Sequence, residues 1–167
     1  MGQFQKRTFK NIGQFFKEIT FLFKNRKKIK VLEDGELISA EFRQRLMMAV
    51  TEVNGCRYCS YYHSKLALKA GISNEELDSL LSGDLDDSPS KEKLALLYAQ
   101  HWTENNGKPD SDFEAKLVDQ YGFEKAELIN LAIRTINFGN LAGNTFDFIL
   151  YKLSFGLLGK DESSKER

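Results

Sequence analysis

Asn54-Gly55-Cys56-Arg57-Tyr58-Cys59-Ser60-Tyr61-Tyr62-His63 reads as the stop of one helix followed at once by the start of another. Asn-Gly suits a left-handed turn, and Cys56 then stands where a new helix presents unpaired N–H groups. Along that helix positions 56, 59, 60 and 63 share one side, so two thiols and an imidazole are placed to exchange protons and electrons. The chain has two cysteines in all, both in this C-x-x-C. With no stretch that reads as an export signal, the pair predicts reversible dithiol chemistry rather than a structural staple.

Helices extend in both directions from this point. Glu41 to Asn54 is an apolar-rich segment (Phe42, Leu46, Met47, Ala49, Val50, Val53). After the thiols, Leu66, Leu68 and Ala70 lead to a stop at Gly71, and Ser73 with Glu76 reads as a capping box opening a short helix to about Leu81. Ser88-Pro89 offers an N-cap and a first-turn proline before Leu94, Leu97, Tyr98 and Trp102. Ser111 with Glu114 reads as a second capping box, and Gly122 ends that helix. From Glu124 a long apolar pattern runs through Gly139-Asn140 to Leu153. Two prolines and few alternating β-branched runs leave no place for a sheet. The expected fold is therefore all-α, a compact multi-helix bundle in one domain of 167 residues.

Charge is balanced, with 24 basic and 24 acidic residues, which argues against a general pull toward nucleic acid. It is unevenly spread, because residues 1–30 hold nine Lys/Arg against Glu18 alone. Phe9, Phe16 and Phe23 recur every seven residues there, with Ile12 and Ile19 between them and Lys10, Lys17 and Lys24 alongside. This division gives a basic amphipathic helix over 1–30, a helical domain over 31–158 and a polar tail over 159–167. The apolar face of the first segment wants a cover: the bundle itself, a neighbouring subunit, or an anionic membrane surface. No run of about 18 apolar residues predicts a membrane span, and the expected setting is cytoplasmic.

The dithiol has a simple physical logic. A thiol reacts as its thiolate, and a helix N-terminus, a neighbouring thiol and His63 would each favour a charged sulfur at Cys56. Peroxide oxidises one sulfur to a sulfenic acid, the other condenses with it, and an external dithiol reopens the disulfide. Two other readings stay open from the residues alone. The cysteines could be packed as small hydrophobes, or they could ligate zinc with His63 and, from another helix, His101. His101-Trp102 itself reads more readily as helix-end packing than as a catalytic pair. Asn137, Asn140 and Asn144 could reach the thiols or tie up a backbone kinked at Gly139 and Gly143.

The block Val53 to His63, followed by Ala70-Gly71-Ile72-Ser73, resembles the alkylhydroperoxidase D-like branch of the carboxymuconolactone decarboxylase superfamily. A looser likeness through Lys93 to Tyr98 and Asn137 to Asn144 extends it over roughly residues 40 to 150, leaving the first thirty outside. The resemblance implies a helical homo-oligomer, trimeric or hexameric. It also implies thiol-dependent reduction of hydroperoxides, an antioxidant oxidoreductase reset by a lipoyl-bearing or thioredoxin-like dithiol partner, with no bound cofactor or metal. It assigns attack to Cys59, resolution to Cys56 and proton relay to His63, whereas the helix-terminus argument makes Cys56 the more acidic thiol. The family's relay glutamate falls on Gln44, which cannot carry a proton, and Tyr58 stands where some members have His. Glu52, two helical turns after Gln44, is the candidate substitute among the catalytic set Cys56, Cys59, His63 and Glu52. The competing classes are a non-catalytic redox-sensing or membrane-associated adaptor, and a decarboxylase-type member of the superfamily.

Overall fold

The computed structural model describes residues 4–159; most of the expected polar tail, 160–167, lies outside them. Among the described residues there are eight helices and no strand: α1 (Ile12–Lys24), α2 (Arg26–Asp34), α3 (Ala40–Asn54), α4 (Arg57–Ala70), α5 (Asn74–Ser82), α6 (Ser90–Glu104), α7 (Ser111–Tyr121) and α8 (Phe123–Leu153). The all-α bundle expected from the periodicity is the fold observed. No helix among the described residues is long and apolar enough to cross a membrane.

α3 is the axis, packed against α4, α5, α6 and α8. Phe42, Leu46, Met48, Ala49 and Val50 fill the core with Leu80, Leu96, Tyr98, Ile129 and Ile133. Because α3 is enclosed nearly all round, its polar residues need partners. The guanidinium of Arg45 makes a fork on Glu76 of α5 and bonds Glu92 of α6 at 3.0 Å, which joins three helices through one buried cluster. This corrects the reciprocal capping box expected at Ser73: its hydroxyl does accept from Glu76 N–H at 3.2 Å, but the Glu76 carboxylate is taken by Arg45. Two further starts shift by one residue. Pro89, not Ser88, caps α6, and Asp110 caps α7, so Ser88 and Ser111 do not act as N-caps.

Residues 1–30 were expected as one helix. The described part instead forms an extended strap over residues 4–11, then α1, then the start of α2. Phe9 therefore leaves the seven-residue stripe and packs on Phe15 and Phe138. Ile12, Phe16, Ile19 and Phe23 remain as an outward stripe, 42–70 % exposed. Glu18 anchors α1 to α8 through a two-point pair with Arg134 at 2.6 and 3.0 Å.

The long apolar pattern after Glu124 is one continuous helix of 31 residues, about 46 Å along its axis, with Gly139 and Gly143 inside it. Their lack of a side chain serves packing.

Candidate functional site

Gly55 ends α3 in the left-handed conformation (φ 65°), which turns the chain sharply enough for Cys56 to cap α4. That turn lays the first turn of α4 across α8. A Cβ on Gly139 would come within 3.9 Å of Cys59 Sγ, and one on Gly143 would lie 2.9 Å from Cys56 Sγ. Two glycines one helical turn apart thus form the floor on which the sulfurs sit.

The sulfurs differ. Cys56 is 1 % exposed, while Cys59 is only partly buried, and both are free thiols. Cys59 donates a hydrogen bond to the Cys56 sulfur, which is the largest reason that the Cys56 pKa is pulled down to about 7. Burial opposes that shift, while the backbone N–H groups of Cys59 and Tyr58 and the charge of Lys6 reinforce it. The Cys59 thiol is pushed up, first because its proton is held by Cys56, then by burial and by the negative charge on Cys56; a hydrogen bond with Asn140 partly eases it. The helix-terminus expectation of the more acidic thiol at Cys56 agrees with this arrangement.

His63 is buried on α4, and its Nδ1 lies 2.9 Å from Gln44 Oε1. With an oxygen as partner, Nδ1 carries the hydrogen and Nε2 is left as an acceptor. Burial, then the charge of Arg43, lowers the imidazole pKa to about 4, so the ring is neutral through the physiological range. Glu52 is placed differently. Its carboxylate packs at Gly83, the C-cap of α5, where a glycine Cβ would come within 3.2 Å of it. The structure thus joins Cys56 to Cys59, and His63 to Gln44, while Glu52 stands at the α5 terminus.

Asn137, Asn140 and Asn144 of α8 face this site. Asn54 Nδ2 bonds Asn137 and Asn140 at 3.0 and 3.1 Å, Asn140 Nδ2 donates to Thr51 at 3.1 Å, and Asn144 Nδ2 donates to the Asn54 carbonyl at 2.7 Å. They fix the α3–α4 turn against α8. His101 packs against Phe113 and bonds around the α6 end, with Nε2 3.3 Å from Asp110 Oδ2. Among the described residues no three His, Cys, Asp or Glu groups converge as metal ligands would.

One group escaped the sequence reading. Asp147 on α8 is fully buried and accepts from Lys6 Nζ at 2.9 Å and from Arg57 and the Tyr58 hydroxyl, each at 2.8 Å. Burial alone would raise its carboxyl pKa, but these donors and the Lys6 charge outweigh it and hold the group below the ordinary carboxylate value. Its one legible signal is an acidic residue within Phe146-Asp147-Phe148-Ile149-Leu150.

Compared with known families, the chain matches the model of the carboxymuconolactone decarboxylase family over residues 29–100. Over this segment the chain is similar to that family. The carboxymuconolactone decarboxylase segment contains Gln44, Glu52, both cysteines and His63, and it ends within α6, so the α8 floor and Lys6 lie beyond it. No curated protein and no solved structure matched the chain.

Proposed function

We propose that the chain is a thiol-dependent peroxidase that reduces alkyl hydroperoxides through a Cys56–Cys59 dithiol–disulfide cycle, working as a homo-oligomer. The observation that carries this reading is the asymmetry of the pair: an enclosed sulfur at Cys56, drawn toward its thiolate, beside a partly exposed free thiol at Cys59. The similarity of residues 29–100 to the carboxymuconolactone decarboxylase family supports a place among enzymes of this superfamily.

In the oxidative half, the Cys59 proton moves to the adjoining Cys56 sulfur, the Cys59 thiolate attacks the distal peroxide oxygen, the O–O bond breaks, and the departing alkoxide takes that proton from Cys56. Cys56 thiolate then displaces hydroxide from the Cys59 sulfenic acid to form the disulfide. In sum, thiolate, thiol, ROOH and one proton give disulfide, ROH and water. In the reductive half, an external dithiol attacks Cys59, because Cys56 is enclosed. Cys56 leaves as a thiolate, and a low leaving-group pKa speeds that displacement. The second thiol of the reductant then opens the mixed disulfide, restoring Cys59 and releasing an oxidised partner and one proton. A lipoyl group or a thioredoxin-type protein has the required chemistry. Neutral His63, one turn beyond Cys59 along α4, offers its Nε2 as the acceptor for proton traffic.

The test is peroxide consumption with a lipoyl or thioredoxin-type reductant. Catalytic turnover lost in Cys59→Ser supports the enzyme. One equivalent of oxidation without turnover would instead make the chain a redox sensor, a reading favoured by Gln44, whose amide cannot relay a proton from His63.

A further inference from the structure

We propose that the strap of residues 4–10 belongs to the thiol site, and that Lys6 is a positioning residue whose ammonium group stabilises the thiolate of Cys56. The inference rests on the dithiol reading above only in taking Cys56 as a working sulfur.

The strap is held at several points. Asn144 Nδ2 donates to the Arg7 carbonyl at 2.9 Å, and the Phe9 N–H donates to Thr145 Oγ1 at 3.2 Å. Phe4 packs edge-on against Phe148, and Arg7 bonds the carbonyls of Thr103 and Glu104 at the end of α6. Lys6 therefore has little choice of direction. Its side chain, 3 % exposed, runs over Gly55, where a Cβ would sit 4.0 Å from its Cγ, and ends on Asp147.

A buried ammonium costs several kcal/mol unless compensated, and one carboxylate is shared here between two cations. Asp147 pairs with both Lys6 and the partly exposed Arg57, which leaves the cluster one positive charge in excess. A thiolate at Cys56 neutralises it; a thiol does not. The groups around Cys56 are Lys6 from the strap, Arg57, Tyr58 and Cys59 from α4, and Asp147 with neutral Asn140 from α8, while α3 presents neutral Asn54. Lys6 is the enclosed cation of this set, laid over Gly55 next to Cys56 and paired with the carboxylate that also holds Arg57 and Tyr58. The segment lies outside the matched family region, so this contribution belongs to this chain's own N-terminus.

The experiment is a titration of thiolate ultraviolet absorbance on the reduced full-length chain, which needs neither peroxide nor reductant. Lys6→Gln should raise the Cys56 midpoint by less than about one pH unit, because other groups pull it down harder, and Lys6→Arg should keep it near wild type. An unchanged midpoint in Lys6→Gln, or an equal rise in Lys6→Arg, would overturn the proposal, the latter by reducing Lys6 to a packing role. If Lys6→Gln does not fold, Asp147→Asn decides: a midpoint at or below wild type supports the ammonium's role, and a rise refutes it. Lack of peroxide turnover in the wild type would remove the peroxidase reading while leaving this titration intact.

Discussion

Gly143 on α8 stands so close to Cys56 that a methyl group on it would lie 2.9 Å from the sulfur and 3.3 Å from the Tyr58 ring. Neither neighbour can retreat easily, since Cys56 is enclosed and Tyr58 is tied to Asp147. Gly143→Ala should therefore destabilise the fold by about 1–3 kcal/mol and disturb the thiol pair, lowering the rate of disulfide formation. Denaturant melts and the oxidation rate of the reduced chain check both; an alanine variant with wild-type values would mean that α4 is free to move off α8.

Gln44 marks the place where a carboxylate would change the proton chemistry. Gln44→Glu would put a negative charge against His63 Nδ1, raise the imidazole pKa from about 4 and provide a group that can hold a proton. Peroxide turnover should increase in this variant, with its pH profile shifted. If Glu52→Gln instead abolished wild-type turnover while Gln44→Glu had no effect, the relay would run through the α5 end of the molecule.

His63 also predicts an acid limit to stability. Its folded pKa is about 4 against an ordinary 6.5, so between these values the unfolded chain binds a proton that the folded chain refuses. Stability contributed here falls as pH drops from about 6.5 toward 4 and levels off below, a loss of roughly 3 kcal/mol in all. Urea midpoints across that range should slope less steeply in His63→Asn than in wild type.

Arg45 holds two buried carboxylates from two different helices. Arg45→Met strands both and should cost about 3 kcal/mol, whereas replacing Arg45, Glu76 and Glu92 together by apolar residues should recover much of that loss. A thermal melt of the single and triple variants distinguishes the two outcomes.

The outward stripe of Ile12, Phe16, Ile19 and Phe23 is the face a second copy would cover in the proposed homo-oligomer. The double variant Phe16→Glu/Phe23→Glu should lower the mass measured by sedimentation. An unchanged mass, combined with loss of binding to anionic vesicles, would assign the stripe and the basic residues beyond it to a membrane surface.

Much of this was legible in the chain because it is encoded locally. Gly55, Gly71 and Gly122 end helices where their type predicts, and the Cys56–Cys59–His63 spacing needs only helical geometry. What was not legible depends on chain segments far apart in sequence. Glu76 gave its carboxylate to Arg45, 31 residues away, instead of to its own helix start. Lys6 and Asp147 are 141 residues apart, and nothing in either neighbourhood names the other. Gly139 and Gly143 read as weak points of a helix until α4 is laid across them. Phe9 kept the seven-residue rhythm of a helix, yet it lies in the irregular strap that bonds Asn144 and Thr145.

Since the floor beneath the two sulfurs comes from α8, the portable unit of this chemistry is larger than the matched segment. Residues 29–100 transplanted alone would keep the Cys59-to-Cys56 contact and the N–H groups at the start of α4, but not the floor that shields the sulfurs. Such a fragment would hold its two thiols unequal in acidity yet open to any passing oxidant.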